Sequence, residues 1–313
     1  MKQVRNVSIA LILLLGASYG AGRIYYRYTD GFLLKHIKSD LAYDPRWEVT
    51  QSSEEEQEVI NQLLSQPFFY LGKGCQSYAF KSADDQYVVK FFKFQRFKTT
   101  IFLDFLAFVP TVGEHRISKL LQKDERRVTF FASWVLAFEK LKKECGLVYL
   151  HLNKSSHLKK QLIIYDKMGW EHHVDLDQVE FLIQKKATLL RPYLGDLIHK
   201  GELEKGKECI DKIIAMIVSE YRRGLADDDH ALMQNTGICN GEPIHIDVGQ
   251  FTESSSVLDL AIAHQELFTK MYRFREWLKK QSAELSDHIE EQLHTEIGDS
   301  FFQMEPKFRP HQN

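Results

Sequence analysis

The spacing of apolar residues predicts a strand-rich first half and a helix-rich second half of the chain. Five short runs rich in aromatic and β-branched residues predict strands, and turn residues separate the first three. These runs are Phe68–Leu71, Tyr78–Lys81, Tyr87–Phe92, Gly146–Leu152 and Gln161–Asp166. We therefore expect a five-stranded antiparallel sheet within residues 65–168.

Helical spacing dominates the rest of the sequence. Apolar residues recur every three or four positions, which predicts amphipathic helices. The stretches concerned are Glu125–Glu144, Val179–His199, Leu203–Arg223 and the segment after Ser256 as far as about Ile297. The first would be the main helix of the strand-rich lobe. The others predict a mostly helical lobe at residues 169–297 with a loose tail at 298–313, so the predicted fold class is α+β with two lobes.

The first 24 residues predict a membrane helix. After Lys2 and Arg5 the chain is uncharged from Asn6 to Gly22, about the shortest length that spans a bilayer core. A secretory signal has the same layout, but no clear A-x-A cleavage triplet is present. We expect an uncleaved anchor with the catalytic region in the cytoplasm, and keep an exported chain as the alternative. Residues 25–64 would connect the anchor to the strand-rich lobe.

Composition argues against a nucleic-acid partner. The 313 residues include 41 Lys and Arg against 43 Asp and Glu, and a net charge of −2 creates no global field for a polyanion. The four cysteines form no C-x-x-C pair and have no usual zinc spacing, so we expect reduced thiols.

Two segments carry candidate chemistry. Residues 72–77, which we call the glycine loop, contain two glycines that would let backbone N–H groups approach phosphate oxygens closely. A plain hairpin bend is the alternative for the glycines alone. Lys90 lies in an apolar strand just downstream, where an ammonium group is costly without an anionic partner.

The second segment is residues 227–235, the acidic loop, followed by a predicted hairpin that ends at Asp247. Carboxylate and amide oxygens are hard ligands that suit Mg²⁺, and a further carboxylate can orient a hydroxyl nucleophile. The pattern therefore predicts a site for a metal-bound phosphate.

Taken in order, these segments resemble the motifs of the protein-kinase-like superfamily, nearer its small bacterial branches of sugar and lipopolysaccharide-core kinases. The matching pieces are Gly72-x-Gly74-x-x-Ser77 for the glycine-rich loop, Val88-Val89-Lys90 for the lysine strand, Asp229 and Asn235 for the catalytic loop, and Asp247-Val248-Gly249 for the DFG triplet. The resemblance covers about residues 68–278 and implies a two-lobed kinase fold in which residues 91–127 are an insertion. The basic and aromatic start of that insertion suits either an interfacial membrane contact or packing on the sheet, which we favour.

The resemblance also implies a role for each matching residue. Nucleotide would be held by Gly72, Gly74, Ser77 and Lys90, with Asn235 and Asp247 binding Mg²⁺ and Asp229 orienting or deprotonating the acceptor hydroxyl. Glu139 would pair with Lys90, with Glu144 as the alternative partner. The family places its aspartate five residues before the asparagine, and here that position is His230, with Asp229 six residues before. The family's His-Arg pair is also replaced, by Asp227-Asp228.

The leading hypothesis is an ATP-dependent phosphotransferase that acts on a hydroxyl acceptor: a sugar, a glycolipid or a protein side chain. The predicted anchor favours a lipid-linked sugar at a membrane. The alternative is a membrane-tethered pseudokinase that acts as a nucleotide-binding or interaction module.

Overall fold

The computed structural model describes residues 2–49, 54–106 and 108–308. The chain divides into two compact units, each built from two separate stretches of sequence. The first unit comprises residues 1–123 and 151–183, and the second comprises residues 124–150 and 184–313. The chain therefore passes from one unit to the other three times.

The described residues form both α-helices and β-strands. The helices are α1 (Lys2–Thr29), α2 (Glu54–Leu63), α3 (Ile101–Phe105), α4 (Pro110–Lys140), α5 (Leu190–Lys200), α6 (Leu203–Arg222), α7 (Leu232–Asn235), α8 (Leu260–Leu278) and α9 (Ala283–Ile297). The strands are β1 (Phe68–Lys73), β2 (Ser77–Ser82), β3 (Tyr87–Phe92), β4 (Leu147–His151), β5 (Gln161–Tyr165), β6 (Glu171–Asp175), β7 (Phe181–Lys185), β8 (Thr188–Leu189), β9 (Leu225–Asp227), β10 (Thr236–Cys239), β11 (Glu242–His245) and β12 (Phe251–Glu253).

The largest sheet has seven strands, in the order β4-β7-β3-β2-β1-β5-β6. The pairs β1–β2 and β2–β3 are antiparallel, as predicted, whereas β1 and β5 are parallel. The prediction of five antiparallel strands is therefore wrong in the number of strands and in one pairing. The sheet together with the helical remainder of the chain still makes a mixed α+β architecture that fits a kinase-like fold.

The two unpredicted strands of this sheet are β6 and β7. β7 falls inside the stretch predicted to be a helix at 179–199, and that helix begins only at Leu190. Phe181, Leu182 and Ile183 are consecutive and fully buried, the pattern of a strand covered on both faces. β6 pairs with β5 as a hairpin whose turn contains Gly169 in the left-handed region (φ 82°).

The N-terminal segment is helical, but the prediction of a membrane anchor is wrong. Among the described residues, no helix combines the length and the apolar character needed to cross a membrane. The apolar run ends at Leu15, and the residues up to Gly22 are Gly, Ala, Ser and Tyr, which contribute little transfer free energy. The predicted membrane localisation has no support once the anchor is removed.

α1 ends in a tight turn beside β2 of the first unit. Asp30 and Gly31 both have positive φ, and Phe32 then packs edge-on against the rings of Tyr78 and Phe80 at 5.2 and 5.3 Å. The start of residues 91–127 is also buried, with Phe94 only 3% exposed, which favours packing over membrane contact. The helix predicted to start at Glu125 starts earlier, as α4.

The second unit has a helical core. Buried apolar residues of α5, α6, α8 and α9 form one cluster, which includes Leu194, Ile213, Phe274 and Ile289. Two small sheets lie in the same unit, one in the order β11-β10-β8 and the other pairing β12 with β9. Phe301 in the predicted tail is buried, and residues 309–313 of that tail lie outside the described residues. All four cysteines are free thiols.

Candidate functional site

The acidic loop begins where β9 ends and closes on its own asparagine. The carboxylate of Asp229 accepts two hydrogen bonds, from the backbone N–H of Ala231 to Oδ1 at 2.8 Å and from Asn235 Nδ2 to Oδ2 at 2.9 Å. Asp229 is half-buried. The two predicted residues of the loop are therefore in direct contact, although their spacing is one residue longer than in the family.

His230, at the position expected for the family's aspartate, faces away from this pair. Its Nε2 lies 3.3 Å from a carboxylate oxygen of Glu266 on α8, and its ring lies 6.0 Å from that of Phe308. The extra residue in the loop thus places Asp229, and not His230, beside Asn235.

Asp247 follows the β10–β11 hairpin, whose register opposes Thr236 to His245. Just beyond the hairpin, the backbone N–H of Ile246 donates to the carbonyl of Asn235 at 2.7 Å. Asp247 Oδ1 accepts from the N–H of Gly249 at 3.2 Å, an Asx turn that fixes the carboxylate near its own backbone. The hydrogen bond from Ile246 therefore holds the backbone just before Asp247 against the backbone of Asn235.

A buried contact between a histidine and a glutamate, which the sequence gave no reason to expect, supports this hairpin. His245 Nε2 lies 2.7 Å from a carboxylate oxygen of Glu220 on α6, and both side chains are almost fully buried. The carbonyl of His245 also accepts from the side-chain amide of Gln184 at 3.1 Å. Because 25 residues separate His245 from Glu220, no local spacing could have linked them.

The donor set around Asn235 and Asp247 is compatible with Mg²⁺. Asn235 Nδ2 donates to Asp229, so its Oδ1 is the amide atom suited to a cation. Mg²⁺ is commonly held by one or two carboxylates, with substrate phosphates and water completing the shell. No group of three or more His, Cys, Asp or Glu side chains that could hold a metal by itself occurs in the part of the chain that the structure describes.

The glycine loop, in the first unit, has glycines that its own packing does not require. A Cβ added at Gly72 would meet nothing within 4 Å, and one at Gly74 would meet only the Ser77 hydroxyl at 4.0 Å; neither residue has a positive φ. A β-bulge precedes the loop between Tyr70 and Gly72. Open space around both glycines is compatible with a ligand that approaches the backbone.

Two lysines of this region have different surroundings. Lys90 is half-buried on β3 and lies opposite Ala79 of β2. Lys93 is buried just past β3, where its Nζ donates to the carbonyl of Gly74 at 2.6 Å and lies 4.3 Å from the ring centre of Tyr78. Burial, reinforced by nearby cations, lowers the pKa of Lys93 to about 8. The sequence had shown Lys93 only as one cation in a basic and aromatic segment.

Glu139, predicted to pair with Lys90, is exposed near the end of α4. The next glutamate along the chain, Glu144, pairs with Arg223 at 2.6 Å. The backbone of Glu144 also accepts from the N–H of His245 at 2.8 Å. Glu144 thus has a structural role at the base of the β10–β11 hairpin.

Comparisons with known proteins give only distant structural likenesses. No protein-family model and no curated protein matches the chain. The chain is similar to WbdD, from a co-crystal structure with the kinase inhibitor LY294002, at 12% identity and a TM-score of 0.36 over 74% of this chain and 45% of that one. It is also similar to Rv3197 of Mycobacterium tuberculosis, from a complex with erythromycin, at 13% identity and a TM-score of 0.31 over 98% of this chain and 89% of that one.

This chain spans less than half of the WbdD chain. Since both TM-scores lie below 0.5, the kinase-like assignment rests on the ordered motifs and the mixed α+β architecture of this chain itself.

Proposed function

We propose that the protein is a kinase-like phosphotransferase that moves the γ-phosphoryl group of ATP to a hydroxyl acceptor. The contact between Asp229 and Asn235 carries the proposal, because it restores the pairing of base and metal ligand that the altered spacing puts in question. Phosphoryl transfer depends mainly on positioned, charged groups and needs little covalent chemistry from the protein.

Each residue of the proposed site has one role. Lys90 would contact the α- and β-phosphates, and Gly72, Gly74 and Ser77 would cover them. Asn235 and Asp247 would hold Mg²⁺, which neutralises charge on the phosphate oxygens when bound. Asp229 would accept the hydroxyl proton. Its two oxygens have about four lone-pair sites, and the two hydrogen bonds it accepts leave room for an acceptor.

Glu139 is the proposed partner of Lys90, and it is the least supported assignment because its side chain is exposed. Glu139→Gln removes the charge and keeps the shape. If Glu139 orients Lys90, this change weakens ATP binding; an unchanged dissociation constant removes Glu139 from the site.

A nucleotide-binding pseudokinase is the second candidate. The observation that favours it is that both oxygens of Asp229 accept hydrogen bonds from the acidic loop itself, so the carboxylate has a structural use without any acceptor. Such a protein would bind Mg-ATP and release no phosphate.

Calorimetric titration of the full chain with ATP, with and without Mg²⁺, tests the proposal. We expect magnesium-dependent binding that Lys90→Ala and Asp247→Ala each weaken at least about tenfold, the equivalent of 1.4 kcal/mol. Lys81→Ala on β2 and Asp196→Ala on α5 are matched controls, because both residues are in exposed ion pairs. Absence of nucleotide binding in the native chain overturns the proposal.

Release of γ-phosphate, with water as acceptor, separates the two candidates. Slow hydrolysis that requires both Mg²⁺ and Asp229 supports a phosphotransferase. Binding without any hydrolysis, and without transfer to a panel of sugar and peptide hydroxyls, supports the pseudokinase.

A further inference from the structure

A buried ion pair lies directly beneath the acidic loop. Lys270 Nζ on α8 lies 2.7 Å from Asp227 Oδ2, and the two side chains are 3% and 4% exposed. The same Nζ lies 3.4 Å from the backbone carbonyl of Asp227. Replacing a buried ion pair by packed apolar residues is often neutral or stabilising, so the stability of the fold alone does not explain this pair.

The two carboxylate oxygens of Asp227 have separate partners. Oδ2 binds Lys270, and Oδ1 accepts from the backbone N–H of Asp229 at 3.0 Å. Because Lys270 holds one oxygen, the rotamer of Asp227 is fixed and its other oxygen stays on the amide of Asp229. From there the contacts continue to the carboxylate of Asp229, which Ala231 and Asn235 hold.

α8 holds the acidic loop on both sides of Asp229. Glu266 and Lys270 are four residues apart and therefore on one face of the helix. Lys270 binds Asp227 before Asp229, and Glu266 lies against His230 after it. Asp227 and His230 both contact α8, and Asp229, which lies between them in the sequence, contacts Asn235.

We propose that Lys270 is a positioning residue for Asp229, acting through the carboxylate of Asp227. The inference rests on the proposed function for its catalytic meaning, since Asp229 is there the group that accepts the hydroxyl proton. Lys270 itself would touch neither nucleotide nor acceptor.

The decisive variant removes both charges together. Lys270→Met alone leaves Asp227 buried without its cation, so this variant is expected to lose stability as well as positioning. The double variant Lys270→Met with Asp227→Leu exchanges the ion pair for an apolar pair and also removes the acceptor for the Asp229 amide. A purely structural role predicts that the double variant recovers everything, whereas a positioning role predicts recovery of stability alone.

Three measurements on the full chain read out this difference. For the double variant we expect a near-native melting temperature and a Mg-ATP dissociation constant within about threefold of native. We expect phosphate release to stay reduced by about 100-fold, the scale of a misplaced reacting group. We expect exchange of the Asp229 amide hydrogen, followed without nucleotide, to be at least about tenfold faster than in the native chain.

Arg275→Met is the matched control, because it removes another ion pair of α8, with Glu290, away from the acidic loop. It should leave the exchange of the Asp229 amide unchanged. If the double variant does not fold, Lys270→Gln takes its place, since glutamine keeps an N–H donor for Asp227. The same losses, in smaller measure, are then expected for exchange and phosphate release.

The inference is overturned if the double variant shows both native exchange at Asp229 and native phosphate release. Where Lys270→Gln is used instead, the same result in that variant overturns it. Either result leaves the proposed function intact. A native chain that neither binds Mg-ATP nor releases phosphate defeats the proposed function. In that case the exchange rate of the Asp229 amide in Lys270→Gln, which keeps Asp227, still decides whether Lys270 positions the loop.

Discussion

At the scale of single residues, one inserted position in the acidic loop changes which side chain contacts Asn235. His230 has the family's spacing from Asn235 but binds Glu266, while Asp229 bonds to Asn235. The hydrogen bond therefore identifies the residue beside Asn235 better than sequence spacing does, because a short loop can contain one extra residue while its two ends stay in place.

This assignment predicts different outcomes for neighbouring substitutions. Asp229→Asn should lower phosphate release by about 10²–10⁴-fold, the usual contribution of a general base. It should leave the Mg-ATP dissociation constant nearly unchanged, because Asn keeps the shape and the acceptor oxygen. His230→Asn should cost far less activity. Steady-state phosphate release and calorimetry check both, and the reverse order of effects would show that His230 is the functional residue.

Lys93 gives a prediction about pH. Its pKa falls from the ordinary 10.5 to about 8 mainly through burial. The folded chain therefore binds fewer protons than the unfolded chain between pH 8 and pH 10.5, and this residue makes the free energy of unfolding rise across that window. Below pH 8 the buried ammonium is at its most unfavourable.

Lys93→Met removes that dependence. We expect the stability of the variant, relative to the native chain, to be about 1–3 kcal/mol greater at pH 7 than at pH 10, since each pKa unit is worth about 1.4 kcal/mol. Urea unfolding at the two pH values measures the difference. Lys81→Met, at an exposed lysine of β2, should differ from native equally at both, and no change with pH for Lys93→Met would contradict the prediction.

At the scale of elements, substitutions in the glycine loop can show whether its glycines are needed for folding or for ligand binding. Gly72→Ala should leave the free energy of unfolding within about 0.5 kcal/mol of native, because the added Cβ meets open space. If nucleotide approaches this backbone, the same change weakens Mg-ATP binding, which calorimetry detects.

Gly237→Ala is the contrasting case in β10. Its Cβ would lie 2.7 Å from that of Ala187, so overpacking should cost about 1–3 kcal/mol. A large loss of stability for Gly72→Ala, without loss of nucleotide affinity, would show that the glycine loop serves only the fold.

Strands β1 to β3 were predictable because each is a short run rich in aromatic and β-branched residues and turn residues separate them. β7 was not, because a continuous apolar run such as Phe181–Ile183 satisfies a helix and a doubly buried strand equally. The parallel pairing of β1 with β5 depends on strands far apart in sequence, so no local pattern encodes it.

Residues of the candidate site likewise fall into those that the sequence predicts and those that it does not. Asp229, Asn235 and Asp247 were found as motifs, because each lies within a few residues of a recognisable neighbour. The support beneath them was not predictable: Lys270 and Asp227 are 43 residues apart, and a lysine in a helix is ordinarily a solvated residue. Such a contact depends on how the helices pack, so no local sequence pattern predicts it.

At the scale of the whole molecule, each compact unit is assembled from two stretches of the chain. Within the second unit, residues 124–150 supply Ser133 Oγ, which donates to the carbonyl of Phe251 at 2.8 Å. They also supply the backbone acceptor for His245. The later stretch, 184–313, therefore lacks part of the support for its own hairpin and for β12.

A truncated chain tests this dependence. We expect residues 184–313 alone to show no cooperative thermal transition, because buried polar groups of β12 and β11 lose their partners, at about 1–3 kcal/mol each. Residues 124–313 should regain a transition, since they restore both contacts. Circular dichroism on heating compares the two, and a cooperative transition in the shorter fragment would show that residues 124–150 are dispensable.

The hydrogen bond from Ser133 to Phe251 joins residues that the ribosome makes at widely separated times. These residues are 118 positions apart, so at roughly 5–20 residues per second the hydroxyl of Ser133 leaves the ribosome roughly 6–24 s before its acceptor exists. During that interval Phe130, Phe131 and Trp134, all buried in the finished protein, belong to a nascent chain in which the later stretch of their unit, residues 184–313, is still incomplete. The order of the two units along the sequence therefore leaves these buried positions of α4 waiting for the rest of their unit in every round of translation.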